Sequence, residues 1–405
     1  MKKLKIIFLL LLPLWGVAQK EHKVLFVIAD GVPADELERL QLPVVAEISA
    51  VGGYTRAHVG GDAGTYCETP TISAPGYNSL LTGTWSNKHN VWDNEMQLPN
   101  YRYWNIFRFF KIAYPQKKTA IFSTWSENRT ILCGSSVAAA GNLQPDYYFD
   151  GLELDTLKFP HDSGGEFYNA IDMEIADTAA AVIRRTAPDL NWVYLEYTDE
   201  MGHQHGNGPK LTNAIMQLND KLQKIWHAIQ YREKNYKESW QIWITTDHGR
   251  EENGYHHGGQ GTRERTTWIL TNADNLNNCF YQNPAIVDIL PSMARFLNIK
   301  IDQERNYELD GVSLIGKNSI THLEAEKREN ILELRWETTD TTGILNLHIA
   351  TTNDFKTGGK DQWVIQQKVP LKNKRAELDI SNHPSKFYKV VAAGKYNTLN
   401  RWITE

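Results

Sequence analysis

Long apolar runs that finish on a carboxylate recur along the chain: KVLFVIAD stops at Asp30, NWVYLEYTD at Asp199 and WQIWITTD at Asp247. Runs of four to eight β-branched and aromatic residues, separated by stretches with helical periodicity, predict parallel strands buried in an α/β sheet. Ligands bind such sheets beyond the carboxyl ends of the strands, where all three acids would then lie. Between the second and third runs, Leu211, Ile215, Leu218, Leu222 and Ile225 recur at three- and four-residue steps after Pro209, which suits a helix start. A further apolar face covers 284–299, where Pro291 should kink or break the helix. From Asn100 to Leu190 the rhythm weakens, and the aromatic run YRYWNIFRFF at 101–110 reads either as a buried helix or as a cover over the substrate.

The texture changes after LDGVSLIGK at 309–317. ILELRWE, ILNLHIATT, QWVIQQKV, RAELDIS and KFYKVVAAG are short alternating segments separated by Gly, Asn and Pro turns. The fold class that follows is α/β, a largely parallel central sheet flanked by helices, and then a small all-β sandwich. Trp336 on an early strand and Tyr388 opening a late one resemble a fibronectin type III domain. The expected division is a leader at 1–18, a catalytic domain at 19–320 that includes an aromatic-rich cap or insertion at about 95–190, and the sandwich at 325–405.

The leader comes from the first residues. Lys2, Lys3 and Lys5 precede ten apolar residues, too few to span a bilayer, and the small Gly16 and Ala18 follow at cleavage-type spacing. This is the pattern of a secretory signal peptide, so an exported protein, periplasmic or secreted, with no transmembrane segment in the mature chain is expected. No Cys follows Ala18 to anchor a lipid. Removing three lysines and no acid takes the net charge from −5 to −8. With no basic run to track a phosphate backbone, duplex nucleic acid is not an expected partner. Cys67, Cys133 and Cys279 lack metal-ligand spacing, and in an exported chain they allow one disulfide at most.

Histidines near the strand-end acids turn this frame into chemistry. In DEMGHQHG, Asp199 and His203 are four apart, close enough for one turn to aim both at one ion, with His205 less favoured. In TTDHGREENGYHHGG, Asp247 and His248 can share an ion where the strand ends, and His257 can return to it because Gly258 and Gly259 permit close backbone approach. His22, His89 and His161 stand alone and read as ordinary core or surface residues. Ser73 opens SAPGYNSLLTG, with Pro75 suited to a first helical turn and Gly83 to its end. A hydroxyl there faces unpaired amides and the positive end of the helix dipole. By itself it is an N-cap, but an adjacent dication would make it a nucleophile.

These segments, with ADG at 29–31 and TPTISAPGYNSLLTG at 69–83, resemble the alkaline phosphatase superfamily, and within it the nucleotide pyrophosphatase/phosphodiesterase branch, from about Lys23 to Lys317. The resemblance implies two divalent ions, Zn2+ by donor chemistry. One would be held by Asp30, Ser73, Asp247 and His248, the other by Asp199, His203 and His257, the last chosen over His256 because it precedes the glycine pair. It further implies catalytic Ser73, passing through a phosphoserine, and Asn94, donating with the Ala74 amide to phosphoryl oxygens. The substrate would be a small-molecule phosphate ester. Ala74 occupies the place where nucleotide-cleaving members carry a base-stacking aromatic, so Tyr77, Trp92 or the aromatic run would have to substitute. A sulfatase motif would need Arg where Tyr77 stands. A monoesterase of the same superfamily, with Arg250, Arg263 or Arg265 serving the extra charge, is the alternative. An exported binding protein with a vestigial site, its sandwich holding an unknown partner, is the reading from another class.

Overall fold

The computed structural model describes residues 20–97 and 99–404. The expected leader therefore lies outside the described residues.

Seven strands form the main sheet: β1 Glu21–Ala29, β2 Gly53–His58, β3 Thr119–Ser123, β4 Tyr147–Phe149, β5 Leu190–Leu195, β6 Glu238–Thr245 and β7 Thr266–Thr271. Their order is β2-β7-β6-β1-β5-β3-β4. The five strands from β6 to β4 are parallel, and β7 and β2 complete one edge antiparallel. The expected largely parallel sheet is thus present, with an antiparallel margin.

The continuous apolar run of β1 is explained by burial on both faces. Val24, Phe26 and Ile28 enter one core with the helices Ser73–Thr82, Ile106–Ala113 and Ile289–Phe296. Leu25, Val27 and Ala29 enter the other, with the helices Glu166–Thr186 and Pro209–Asn235. Alternate residues of a strand face opposite sides, so a central strand between two helical layers has no polar position to spare. Pro209 is indeed the first residue of its helix.

Three local readings are corrected. The aromatic run at 101–110 is no cover: it ends in the helix Ile106–Ala113, whose Phe107, Phe109 and Phe110 are buried in the main core. The rhythm does continue through this region, but β3 and β4 have only five and three residues, too short to register as periodic runs. Pro291 does not interrupt a helix; it sits in the first turn of Ile289–Phe296, preceded by a 3-10 turn at Ile286–Asp288. There the absent N–H costs no hydrogen bond. All three cysteines are free.

From Thr321 onward two antiparallel sheets face each other. One is β8 Thr321–Arg328, β9 Ile331–Glu337 and β12 Arg375–Asp379; the other is β10 Ile344–Ala350, β11 Trp363–Pro370, β13 Phe387–Ala393 and β14 Thr398–Thr404. Leu332, Leu334 and Trp336 from one sheet share a core with Leu345, Leu347, Ile349 and Val390 from the other. The Tyr388 hydroxyl donates to the His383 carbonyl at 2.8 Å, the backward tie of a tyrosine corner.

The β layer is joined to the main sheet by buried charge. Lys88 reaches Asp310 Oδ1 at 2.5 Å, the Glu308 carbonyl at 2.7 Å and Asn400 Oδ1 of β14 at 2.8 Å. Lys389 of β13 pairs with Glu308 and with Asp361 at 2.6 Å. Both lysines are fully buried, so each ion pair must be kept whole.

Candidate functional site

The expected residues converge at the carboxyl end of the parallel strands. Asp30 directly follows β1, and Asp247 lies two residues past β6. Asp199 is not at a strand end; it sits in the first turn of the helix Tyr197–His205 that follows β5, which puts His203 one turn along on the same face. Asp172 fixes that helix by accepting from the Glu196 and Tyr197 amides, both at 3.0 Å. Thr198 Oγ1 adds a bond to the Asp30 carbonyl at 2.6 Å.

Ser73 is the first residue of the helix Ser73–Thr82, and Ile72 stands at the cap position. Its hydroxyl therefore does not cap; Oγ lies 3.4 Å from His248 Nε2. The same nitrogen is 3.3 Å from Asp30 Oδ1 and 3.3 Å from Asp247 Oδ2. These two carboxylate oxygens are buried and have no hydrogen-bond partner. Leaving such atoms unpaired is costly, and their convergence makes a donor set that fits a cation. Asp30, Asp247 and His248 form one group whose donor atoms can hold a metal ion; Asp199, His248 and His257 form another.

The imidazoles are oriented for this. His248 Nδ1 lies 2.8 Å from the Gly249 carbonyl and His257 Nδ1 2.9 Å from the Thr71 carbonyl. A carbonyl there requires Nδ1–H, so each Nε2 carries a lone pair. The His203 and His257 Nε2 atoms face each other at 3.0 Å, and His203 Nε2 is 3.1 Å from Asp199 Oδ2. His256 is exposed with its ring against Tyr255, away from this cluster. His205 makes no contact with it, and His22 and His161 bond backbone carbonyls elsewhere.

Uncompensated negative charge marks the centre. Burial and the neighbouring Asp30 push the Asp247 carboxyl well above the usual range. For His248 burial opposes the charge, yet the Asp247 and Asp30 carboxylates beside it raise it to about 9. Burial, with the adjacent His248, lowers His257 to about 3. Asp199 differs: burial works against its ionisation, but Arg250 and His203 hold it well below the usual range.

Arg250 was not foreseen as structural. It is fully buried and donates to the carbonyls of Gly31, Asp199, Gly254 and Tyr255 and to Asp199 Oδ1. Arg263 is spent on Asp35, Glu251 and Asn207, and Arg265 on the Val59 and Gly61 carbonyls. None of the three reaches toward Ser73.

Two expectations around Ser73 change. The Ala74 amide is taken by Asn94 Oδ1 at 3.0 Å, which leaves Asn94 Nδ2 as the donor. Tyr77 cannot stack on a base, because it is fully buried and its hydroxyl donates to Asp30 Oδ2. Trp92 is exposed. A cavity of about 200 Å³ between the main sheet and the β layer is lined by residues that include Asp62, Trp85, Asp288, Asp310 and Arg401, and by none of the site residues.

The model of the type I phosphodiesterase / nucleotide pyrophosphatase family matches residues 24–377. The chain belongs to that family. As a member it is a phosphoric ester hydrolase. Among solved structures it is similar to a candidate sulfatase from Bacteroides thetaiotaomicron, at 10% identity and TM-score 0.50, over 90% of this chain and 86% of that one. It is also similar to murine ectonucleotide pyrophosphatase/phosphodiesterase 5, an inactive variant in complex with AMP, at 14% identity and TM-score 0.49, over 69% of this chain and 96% of that one. Phosphonoacetate hydrolase from Sinorhizobium meliloti aligns at 16% identity and TM-score 0.40, over 57% of each chain. The first of these likenesses is one of fold.

Proposed function

We propose that this chain is an exported two-metal phosphodiesterase that cleaves small-molecule phosphate diesters through a phosphoserine on Ser73. The observation that carries the reading is the convergence of Ser73 Oγ with unpartnered Asp30 Oδ1 and Asp247 Oδ2 on one His248 nitrogen. Asp30, Ser73, Asp247 and His248 would hold one cation, and Asp199, His203 and His257 the other. Three carboxylates and three imidazoles without a thiolate suit Zn2+. Bound there, the cations would lower the pKa of the hydroxyl and neutralise developing phosphoryl charge.

The chain's own groups do the rest. The helix that begins at Ser73 aims its positive dipole end at the phosphoryl group. Ser73 Oγ attacks phosphorus, the alcohol leaves, and water cleaves the phosphoserine in the same site. Asn94, its Oδ1 held by the Ala74 amide, presents Nδ2 to a nonbridging oxygen. Gly249 and Thr71 keep the two imidazoles in the tautomer that faces inward. A monoester brings a second negative charge that favours a fixed cation, and Arg250, Arg263 and Arg265 are all engaged elsewhere. That occupancy supports diesters. Export rests on the N-terminal pattern; among the described residues no helix is long and apolar enough to cross a membrane. We place the junction of catalytic and β-sandwich domains at about 320–325.

Comparison of kcat/KM for bis(4-nitrophenyl) phosphate and 4-nitrophenyl phosphate, at fixed metal and pH, tests the substrate class. The diester is expected to react faster. A tenfold preference for the monoester, about 1.4 kcal/mol of differential transition-state binding, would overturn it.

A further inference from the structure

Asp30 Oδ2 accepts two phenolic protons. Tyr77 donates to it, Tyr194 donates to it at 2.7 Å, and the two hydroxyl oxygens are 2.9 Å apart. Each phenol has one proton to give and a carboxylate oxygen has two lone pairs, so Oδ2 is saturated. Only Oδ1, buried and unpartnered, remains for a cation.

Both tyrosines are placed by the fold for this. Tyr194 lies on β5, paired in register with Ile28 of β1, and the alternation that buries Ile28 on the face with Tyr194 puts Asp30 on that face too. Tyr77 is four residues after Ser73 in the same helix, one turn along the same side. The rings pack edge to face at 5.0 Å, and both are essentially without solvent exposure. Buried phenols need partners, and theirs is the one carboxylate shared with the nucleophile's neighbourhood.

We propose that Tyr77 and Tyr194 are positioning residues: together they force Asp30 to bind its cation through Oδ1 alone, and Tyr77 ties the helix that carries Ser73 to that same ligand. This rests on the two-metal reading above. A one-oxygen ligand leaves room for Ser73 in a four-donor sphere of Asp30, Asp247, His248 and Ser73. Without the phenols Asp30 can chelate through both oxygens and compete with the hydroxyl.

The test is competition with a chromophoric chelator for Zn2+ on wild type, Tyr77→Phe, Tyr194→Phe and the double variant, with the exposed Tyr281→Phe as control. Each single variant is expected to change the affinity of one of two sites by about tenfold or more, leaving the other as in wild type. In Tyr77→Phe, kcat should fall with little change in KM. Cooperative unfolding of the metal-free protein checks the fold, and Tyr194→Phe carries the test should Tyr77→Phe not fold. A wild type with two ions and variants that bind both within twofold of it overturns the tyrosine role alone. A wild type that binds no ion overturns it together with the proposed function.

Discussion

Substituting Gly31 with alanine separates the geometry of the metal site from the stability of the fold. Gly31 follows Asp30 and has φ +60, and a methyl group there would lie 2.2 Å from Asp199 Oδ1 and 2.8 Å from Arg250 Nη2. Non-bonded contacts to carbon need about 3 Å or more, so the Asp199 carboxylate or its surroundings must move by about 1 Å. A displacement of that size at a reacting centre costs about 10²-fold in rate, or about 2.7 kcal/mol of transition-state stabilisation. The left-handed backbone adds about 1–2 kcal/mol of stability loss. Gly151 isolates that second effect, because its φ is +81 and nothing lies within 4 Å of its added methyl. We therefore expect Gly31→Ala to lose at least as much stability in urea as Gly151→Ala, while only Gly31→Ala loses about 10²-fold or more in kcat/KM for bis(4-nitrophenyl) phosphate. Equal kcat/KM for the two variants would refute the reasoning, since the position of Asp199 would then not limit turnover.

Three further outcomes follow from named contacts. His257→Ala should lose one equivalent of metal by elemental analysis and most turnover, whereas the exposed His256→Ala should retain both; the reverse ranking would mean that the wrong histidine is assigned. Lys88→Met should destabilise the chain by about 3–5 kcal/mol in urea, because it leaves Asp310 charged and buried between the main sheet and the β layer; a change under 1 kcal/mol would contradict the buried pairing. His89 is fully buried, its Nδ1 accepts from the Val91 amide, and burial lowers it to about 3. A folded pKa below the unfolded one of about 6.5 gives stability that is present above pH 6.5 and is lost as pH falls toward 3. The acid-side slope of the urea midpoint should therefore flatten in His89→Gln, and an unchanged slope would count against a neutral His89.

How much could be read from the sequence depended on the range of the interaction. Asp30 and Asp247 were legible because each closes an apolar run long enough to be unmistakably a buried strand. Asp199 and His203 were legible as a pair because four residues is one helical turn. His257 was preferred to His256 on the glycines alone, and the structure turns only His257 inward. Asn94 lies beside Ser73, but the sequence could not show that it would occupy the Ala74 amide. Tyr77 and the arginines escape a sequence reading for one reason. A Tyr one turn after Ser73 is as good a base-stacker as a buried donor until Asp30, at the end of β1, and Tyr194, on β5, meet its hydroxyl. Arg250 beside the Asp247–His248 pair looks like a phosphate ligand until four carbonyls, from two loops and the helix that carries Asp199, enclose it. Asp30 is 47 residues from Tyr77, and Asp199 and Gly31 are 51 and 219 from Arg250, beyond any local pattern. Gly31 and Gly202 both stand where an added methyl would strike the Arg250 guanidinium, a constraint that only the fold displays.

The central claim is that two cations complete this site. The direct measurement is titration of exhaustively chelated enzyme with Zn2+ while following hydrolysis of bis(4-nitrophenyl) phosphate. Activity should be absent at the start and should rise to a plateau at two equivalents per chain, with Ser73→Ala binding the ions yet staying inactive. Full activity in the chelated enzyme, or a plateau at one equivalent, would contradict the account.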